Sequence, residues 1–243
     1  MNLRALQKHW NILGKSDPLR AILTRSRDKD APWDPAKFFE SGVFEIDQVL
    51  SWAEAIRPLG EKRRALDFGC GVGRLTQALA SRFDRVCGVD ISAAMIERAR
   101  EFDRSGGRSE FVVNETADLR RFPDGHFDFV YSSITLQHMP QRFAKRYMVE
   151  FLRVLDTSGL LLFQLPSHRI DHYGWLISRS QRIVEPVLHP FAPRVVMRGI
   201  PKSEVVELLA RNGGEVLEVG DDQSAGEEWK SYRYLVAKAA KAK

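Results

Sequence analysis

Two cysteines in 243 residues, Cys70 and Cys87, are too few for a disulfide scaffold. The opening residues, MNLRALQKHWNILGKSD, lack the apolar stretch and small-residue cleavage site of a secretory leader. Both thiols are therefore expected to be reduced, and their spacing fits no zinc motif. No apolar run approaches the roughly 18 residues of a spanning helix, and the longest, around Leu160–Leu165, has the length of a strand. A cytoplasmic chain without membrane insertion is the expectation. Repeats are absent, and low complexity is confined to an alanine-rich tail carrying Lys238, Lys241 and Lys243. Charge of one sign is not in large excess either: 37 Lys and Arg stand against 32 Asp and Glu, a net +5. That excess is scattered and forms no basic stripe interleaved with aromatics, so nucleic acid is not an expected partner.

What is present is the ordinary mixture of a globular chain, 44% apolar and 28% charged, at a length that suits one large domain with an elaborated end. Leu3, Leu6, Trp10 and Leu13 recur at helical spacing. Asp17-Pro18 opens a second helix, Ala31–Pro35 reads as a loop, and a third helix is predicted from about Phe44 to Ile56. From Arg64 the texture changes. Short apolar runs at 65–68, 86–89, 111–113, 127–131 and 160–165 alternate with helical patterns, as in a parallel sheet covered on both faces. A helix at 203–211 and strands at 215–219 and 232–237 close the chain.

The most informative stretch is Asp67-Phe68-Gly69-Cys70-Gly71-Val72-Gly73, where a strand enters a turn with glycine at every second position and a helix follows. Such a turn lets a ligand approach the backbone and offers the free N–H groups of a helix start. Asp90 stands 17 residues after Gly73, at the end of the next strand. In a doubly wound sheet that places a carboxylate beside the glycine turn, able to accept from both hydroxyls of a ribose. The alternative is an aspartate that caps the following helix, a role for which Ser92 competes.

These residues resemble the class I S-adenosylmethionine-dependent methyltransferase family over residues 64–165. LDFGCGVGR is similar to its first motif and GVDIS to its second. ETADL stands in the position of the third, FDFVYSSITLQHM in that of the fourth, and EFLRVLDTSGLLLFQLP in that of the one after it. Asp156-Thr157-Ser158-Gly159 departs from the usual Lys-Pro-Gly-Gly. The resemblance implies an α/β, doubly wound, Rossmann-like fold whose mostly parallel seven-stranded sheet has an antiparallel last strand. One methyltransferase domain would comprise a helical extension or lid (1–60), a cofactor core (61–165), an acceptor-side insertion after strand 5 (166–200) and the last helix and strand pair (201–243). The cofactor implied is S-adenosyl-L-methionine, with S-adenosyl-L-homocysteine as product. Asp67, Gly69, Gly71 and Gly73 would shape the pocket for its amino-acid end. Asp90 would hold the ribose, Ile91 would pack on the adenine, and Asp118 with Leu119 would meet the adenine edge. Ser132 and Ser133 would border the methionine moiety.

For the chemistry, His138 follows the fourth strand at the carboxyl edge of the sheet, where ligands bind in such folds, and is the candidate general base. A small-molecule hydroxyl is the expected acceptor, with an amine, a protein side chain or a non-catalytic binding module as alternatives. No metal is expected: His168, Asp171 and His172 make a thin set without a fourth ligand. Trp33, Phe38, Phe39 and Phe44 suit a lid or ordinary packing. Segment 166–200, with Trp175, Arg179, Arg182 and Arg198, suits a lid, a homodimer interface or a membrane-surface contact.

Overall fold

The computed structural model describes residues 2–23, 33–170 and 196–239. Three helices come first: α1 (Leu3–Ser16), α2 (Pro18–Ile22) and α3 (Pro35–Ile56). Each start has a chemical signature. Asn2 caps α1 by accepting from the Ala5 N–H, Asp17 caps α2 and Asp34 caps α3, with Pro18 and Pro35 in the first turns. Helix α3 thus begins at Pro35, well before the expected Phe44. The Asp34-Pro35 pair is a cap and first-turn unit, so the loop ends there.

The alternating part follows as β1 (Arg64–Phe68), α4 (Arg74–Leu79), β2 (Arg85–Asp90), α5 (Ala93–Phe102), β3 (Ser109–Val113) and β4 (Phe127–Ser132). A single 3₁₀ turn, Leu136–His138, leads to α6 (Gln141–Val154) and β5 (Leu155–Arg169); after the undescribed residues come α7 (Lys202–Arg211), β6 (Gly214–Asp222) and β7 (Trp229–Lys238). The seven strands form one sheet in the order β3-β2-β1-β4-β5-β7-β6. Strands β1 to β5 pair in parallel, and β7 runs antiparallel to both β5 and β6. This is the doubly wound, mostly parallel sheet expected. Strand β5 is longer than its apolar run because its pairing with β7 continues to Arg169↔Trp229. The first four residues of segment 166–200 therefore belong to the sheet. Residues 171–195, which include Asp171, His172, Trp175, Arg179 and Arg182, lie outside the described residues.

Both sheet faces are covered. Val49, Leu50, Leu79, Phe129 and Tyr131 fill the side under α3 and α4, and Phe68, Tyr147, Phe151, Phe163 and Leu209 fill the side under α6 and α7. Phe129 and Phe151 are fully buried, each worth about 1.5–3 kcal/mol of burial. No described helix is long and apolar enough to cross a membrane. The strand order reverses at β1, between β2 on one side and β4 on the other. In an open α/β sheet the crevice beyond the strand ends at such a reversal is where ligands bind.

Candidate active site

A cavity of about 960 Å³, counting its open mouth, lies at that reversal. Its floor is the turn after β1, lined by Gly69, Cys70 and Gly71. Gly69 has φ +80°, and a Cβ there would lie 2.1 Å from Thr135 Oγ1, so only glycine fits. Asp90 and Ile91 form one wall at the end of β2. The Asp90 carboxylate accepts the Gly71 N–H (3.0 Å) on Oδ2 and the Ser92 N–H (2.8 Å) on Oδ1. Burial pushes its carboxyl up, and these backbone donors oppose the push. A carboxylate has about four acceptor sites, and the backbone donors to Asp90 do not fill them. Asp90 does not cap α5. Ser92 does, accepting the Met95 N–H on its hydroxyl.

Opposite stand Ser133, Ile134, Thr135, His138 and Met139, from the connection after β4. Ile134 has φ +54°, the one positive φ at a non-glycine position among the described residues. For a β-branched residue this costs about 1–3 kcal/mol and persists only where the surroundings impose it. Here its N–H donates to Gln164 Oε1 at 3.0 Å. His138 stands edge-on to Trp10, 5.4 Å between ring centroids. Burial pushes its imidazole down to about 4, with His9 and Arg198 adding to the shift, so the ring is neutral at physiological pH.

The roof comes from the N-terminal helices, which contribute Leu3, Leu6, Trp10, Ala21 and Ile22. The apolar stripe of α1 is thus a cavity wall. Asn11 Oδ1 pins α1 by accepting from Ser92 Oγ (2.8 Å) and Ala94 N–H (3.1 Å), and Gln7 donates to Glu115 (2.6 Å). Phe38 is fully buried and packs edge-on with Trp33 and Phe39, away from the lining, while Phe44 is 64% exposed.

Other residues singled out from the sequence stand outside the lining. Asp67 is buried beneath the turn, takes the Thr76 hydroxyl at 2.6 Å, and is pushed up to about 7 by burial. Gly73 precedes α4 and abuts Phe111. Ser132 donates to the Phe68 carbonyl (3.0 Å). Asp118 forms ion pairs with Arg120 and Arg146; the Arg120 guanidinium, helped by the Thr116 hydroxyl, holds its carboxyl far below the usual range, and Leu119 is core. His168 lies in β5.

In their stead the cavity is lined by residues the sequence did not mark. Asn114, the first residue past β3, donates to the Asp118 carbonyl (3.0 Å) and the Tyr147 hydroxyl (3.2 Å). Its position immediately after an apolar run was the available signal. Arg74, buried at the start of α4, donates to Glu45 (2.7 Å) and Ser41 (3.3 Å), and its Nε is buried without a partner. Glu45 also takes the Tyr131 hydroxyl at 2.8 Å. No cluster of three potential metal-ligating side chains occurs among the described residues.

Residues 66–163 match the family described as "Methyltransferase domain". The chain is 29% identical over 177 residues to trans-aconitate 2-methyltransferase of Rhodopseudomonas palustris (strain BisB18), covering 71% of this chain and 65% of that protein. It is 28% identical over 185 residues to ajmaline N-methyltransferase of Rauvolfia serpentina, covering 72% and 60%. It thus spans less than two thirds of the length of these curated relatives. In fold it is similar to magnesium protoporphyrin IX methyltransferase of Synechocystis PCC 6803, solved with bound S-adenosylhomocysteine. The TM-score is 0.66 at 20% identity, with 98% of this chain and 99% of the other covered.

Proposed function

We propose that the chain, whose residues 66–163 match a methyltransferase domain, is a class I S-adenosylmethionine-dependent methyltransferase that methylates a small-molecule acceptor at a hydroxyl oxygen, with His138 as the general base. The observation that carries this reading is the meeting in one cavity of the Asp90 carboxylate and a neutral imidazole. The residues present fit the cofactor. The lining combines apolar walls with a few polar groups, as a nucleoside-type ligand requires. Asp90 would hold the ribose hydroxyls, Ile91 and Leu6 would flank the base, and the unpartnered Arg74 Nε is a cationic donor for a carboxylate. When bound, S-adenosylmethionine supplies an activated methyl group on its sulfonium sulfur.

The chain's own contribution is then positioning, exclusion of water and one proton transfer. Leu3, Leu6 and Trp10 roof the cavity and keep water out. His138 takes the acceptor O–H proton as the new oxygen–carbon bond forms. Its lowered basicity keeps it unprotonated above about pH 5 and makes that transfer a late one.

A second reading has its own observation: Arg198 Nη1 is buried without a partner, on the residue whose backbone N–H donates to the Gln137 carbonyl, next to His138. A cation there suits a carboxylate acceptor, which needs no base. Calorimetric titration with S-adenosylhomocysteine tests the cofactor half of the proposal, and absence of binding by the folded protein at millimolar ligand refutes it. An acceptor screen with labelled methyl donor tests the other half. Alkali-stable methyl products whose formation drops more than about tenfold (~1.4 kcal/mol of barrier) in His138→Ala support a hydroxyl acceptor. Alkali-labile methyl esters formed at an unchanged rate in that variant refute it in favour of a carboxylate.

A further inference from the structure

Strand β5 carries a glutamine inside its apolar run, Leu160-Leu161-Leu162-Phe163-Gln164-Leu165, and Gln164 is 1% exposed. A buried amide at such a position must satisfy both of its ends. Its Oε1 accepts the N–H of the strained Ile134 at 3.0 Å. A backbone N–H can only donate, so the orientation of this amide is fixed. Its Nε2 therefore points the other way, toward Ser231 Oγ (2.7 Å) and Gln137 Oε1 (3.1 Å). Gln137 is equally buried, and with its oxygen committed to Gln164 it turns its own Nε2 to His138 Nε2 at 3.4 Å. An amide nitrogen is a donor only, so His138 Nε2 must be the unprotonated ring nitrogen. The far side of the ring agrees independently. His138 Nδ1 lies 3.4 Å from the Val196 carbonyl, an acceptor only, so Nδ1 carries the proton.

From this one-way chain we infer that Gln164 and Gln137 are positioning residues: they transmit the fixed direction of the Ile134 N–H through two amides and lock His138 in the Nδ1–H tautomer, which leaves Nε2 as its proton-accepting atom. The inference deepens the general-base reading of His138 and rests on it for its consequence in catalysis. The tautomer itself follows from the hydrogen bonds alone. The chain leaves the connection after β4 at Ile134, passes through Gln164 on β5, and returns to the same connection at Gln137 and His138. The strain at Ile134 then has a use, because its N–H is the donor that sets the polarity of every later bond. The closing contact of 3.4 Å is the longest of the chain, so an acceptor hydroxyl can displace the Gln137 amide from Nε2 without disturbing the two bonds behind it.

The test is the ring tautomer, read from two-bond ¹⁵N–¹H correlations on uniformly labelled protein at pH 7. The His138 signals are assigned by their loss in His138→Phe. Wild type is expected to show a protonated Nδ1 and a bare Nε2. In Gln137→Leu the share of the Nε2–H form should rise about fivefold, the effect of losing one hydrogen bond, and Gln164→Leu should move it the same way because Gln137 is freed to turn. A wild-type ring protonated on Nε2 overturns the inference. So does a wild-type tautomer that persists in both folded variants. Should the leucine variants not fold, the wild-type spectrum still decides, and Gln137→Asn, which keeps the amide but not its reach, replaces them. A locked tautomer together with undiminished methyl transfer by His138→Ala leaves the relay standing and removes the base reading, so the two failures are distinguishable.

Discussion

Replacing Asp90 by asparagine tests the cofactor end of the cavity with the least change of shape. In the native protein two different oxygens serve two different backbone donors, Gly71 N–H at 3.0 Å and Ser92 N–H at 2.8 Å. A carboxamide has one oxygen. Whichever way it turns, one of those N–H groups faces an NH₂ group. An unpaired buried donor costs about 1–3 kcal/mol, and at about 2 kcal/mol a chain of this size loses about 4–8 °C in Tm. The ligand side is separate. Two ribose hydroxyls that donated to a carboxylate would meet a neutral amide, and each bond loses about 1 kcal/mol of its charge assistance. The sum of about 2 kcal/mol is roughly a 30-fold weaker complex. Thermal melts and calorimetric titration with S-adenosylhomocysteine read the two effects separately. A lower Tm with unchanged affinity would make Asp90 a brace for the glycine turn and nothing more. If both stayed at wild-type values, the placement of the cofactor would be wrong.

Three further outcomes are expected. Because His138 titrates near 4 in the fold and about 6.5 when unfolded, only the unfolded chain takes up its proton as pH falls from 6.5 toward 4; stability is full above 6.5 and about 2 kcal/mol lower at pH 5 from this group. Urea melts should show a shallower acid loss in His138→Gln, and identical slopes would refute the burial argument. Gly69→Ala adds about 1–2 kcal/mol of backbone strain at φ +80° and forces Thr135 away, so the folded variant should lose S-adenosylhomocysteine binding at millimolar ligand; native-like affinity would contradict the close packing. Asn11→Ala removes the acceptor for Ser92 Oγ and the Ala94 N–H, which should speed amide exchange throughout α1 about 5–30-fold with β1 and β4 unchanged, and equal protection of α1 would show that apolar packing alone holds it.

The sheet was legible in the sequence because short runs apolar on both faces, each bounded by turn residues, have few other uses. The helix starts were legible less evenly: Asp17-Pro18 was read as a start, while the equivalent Asp34-Pro35 was read as loop because each proline in Ala31–Pro35 biases its predecessor away from helix. At the site, Gly69, Gly71 and Asp90 were marked by spacing, since a strand end and the turn after its neighbour meet at a fixed place in a parallel sheet. Counting along a pattern was a weaker guide beyond β3. It led to Asp118, which turns to Arg120 and Arg146, whereas the residue that lines the cavity is Asn114, immediately past the strand end. Periodicity marked the stripe of Leu3, Leu6 and Trp10, but it identifies an apolar face without saying what that face covers. Gln164 stood out only as an amide inside an apolar run, which says nothing of what it bonds. Its partners stand 30, 27 and 67 positions away, and only the folded sheet brings them together.

The roof of the cavity has a consequence for its closing. Helix α1 is local in its own hydrogen bonds, yet its docking partners Ser92 and Ala94 lie 81 and 83 residues further along. Closing so long a loop is entropically costly until the sheet and α5 already stand in place. Docking of α1 therefore requires the start of α5 to be in place, because both donors to Asn11 belong to it. With α1 undocked the glycine turn and Asp90 can be complete while the crevice is uncovered, and a ligand that touches Leu3, Leu6 and Trp10 favours the docked state by mass action.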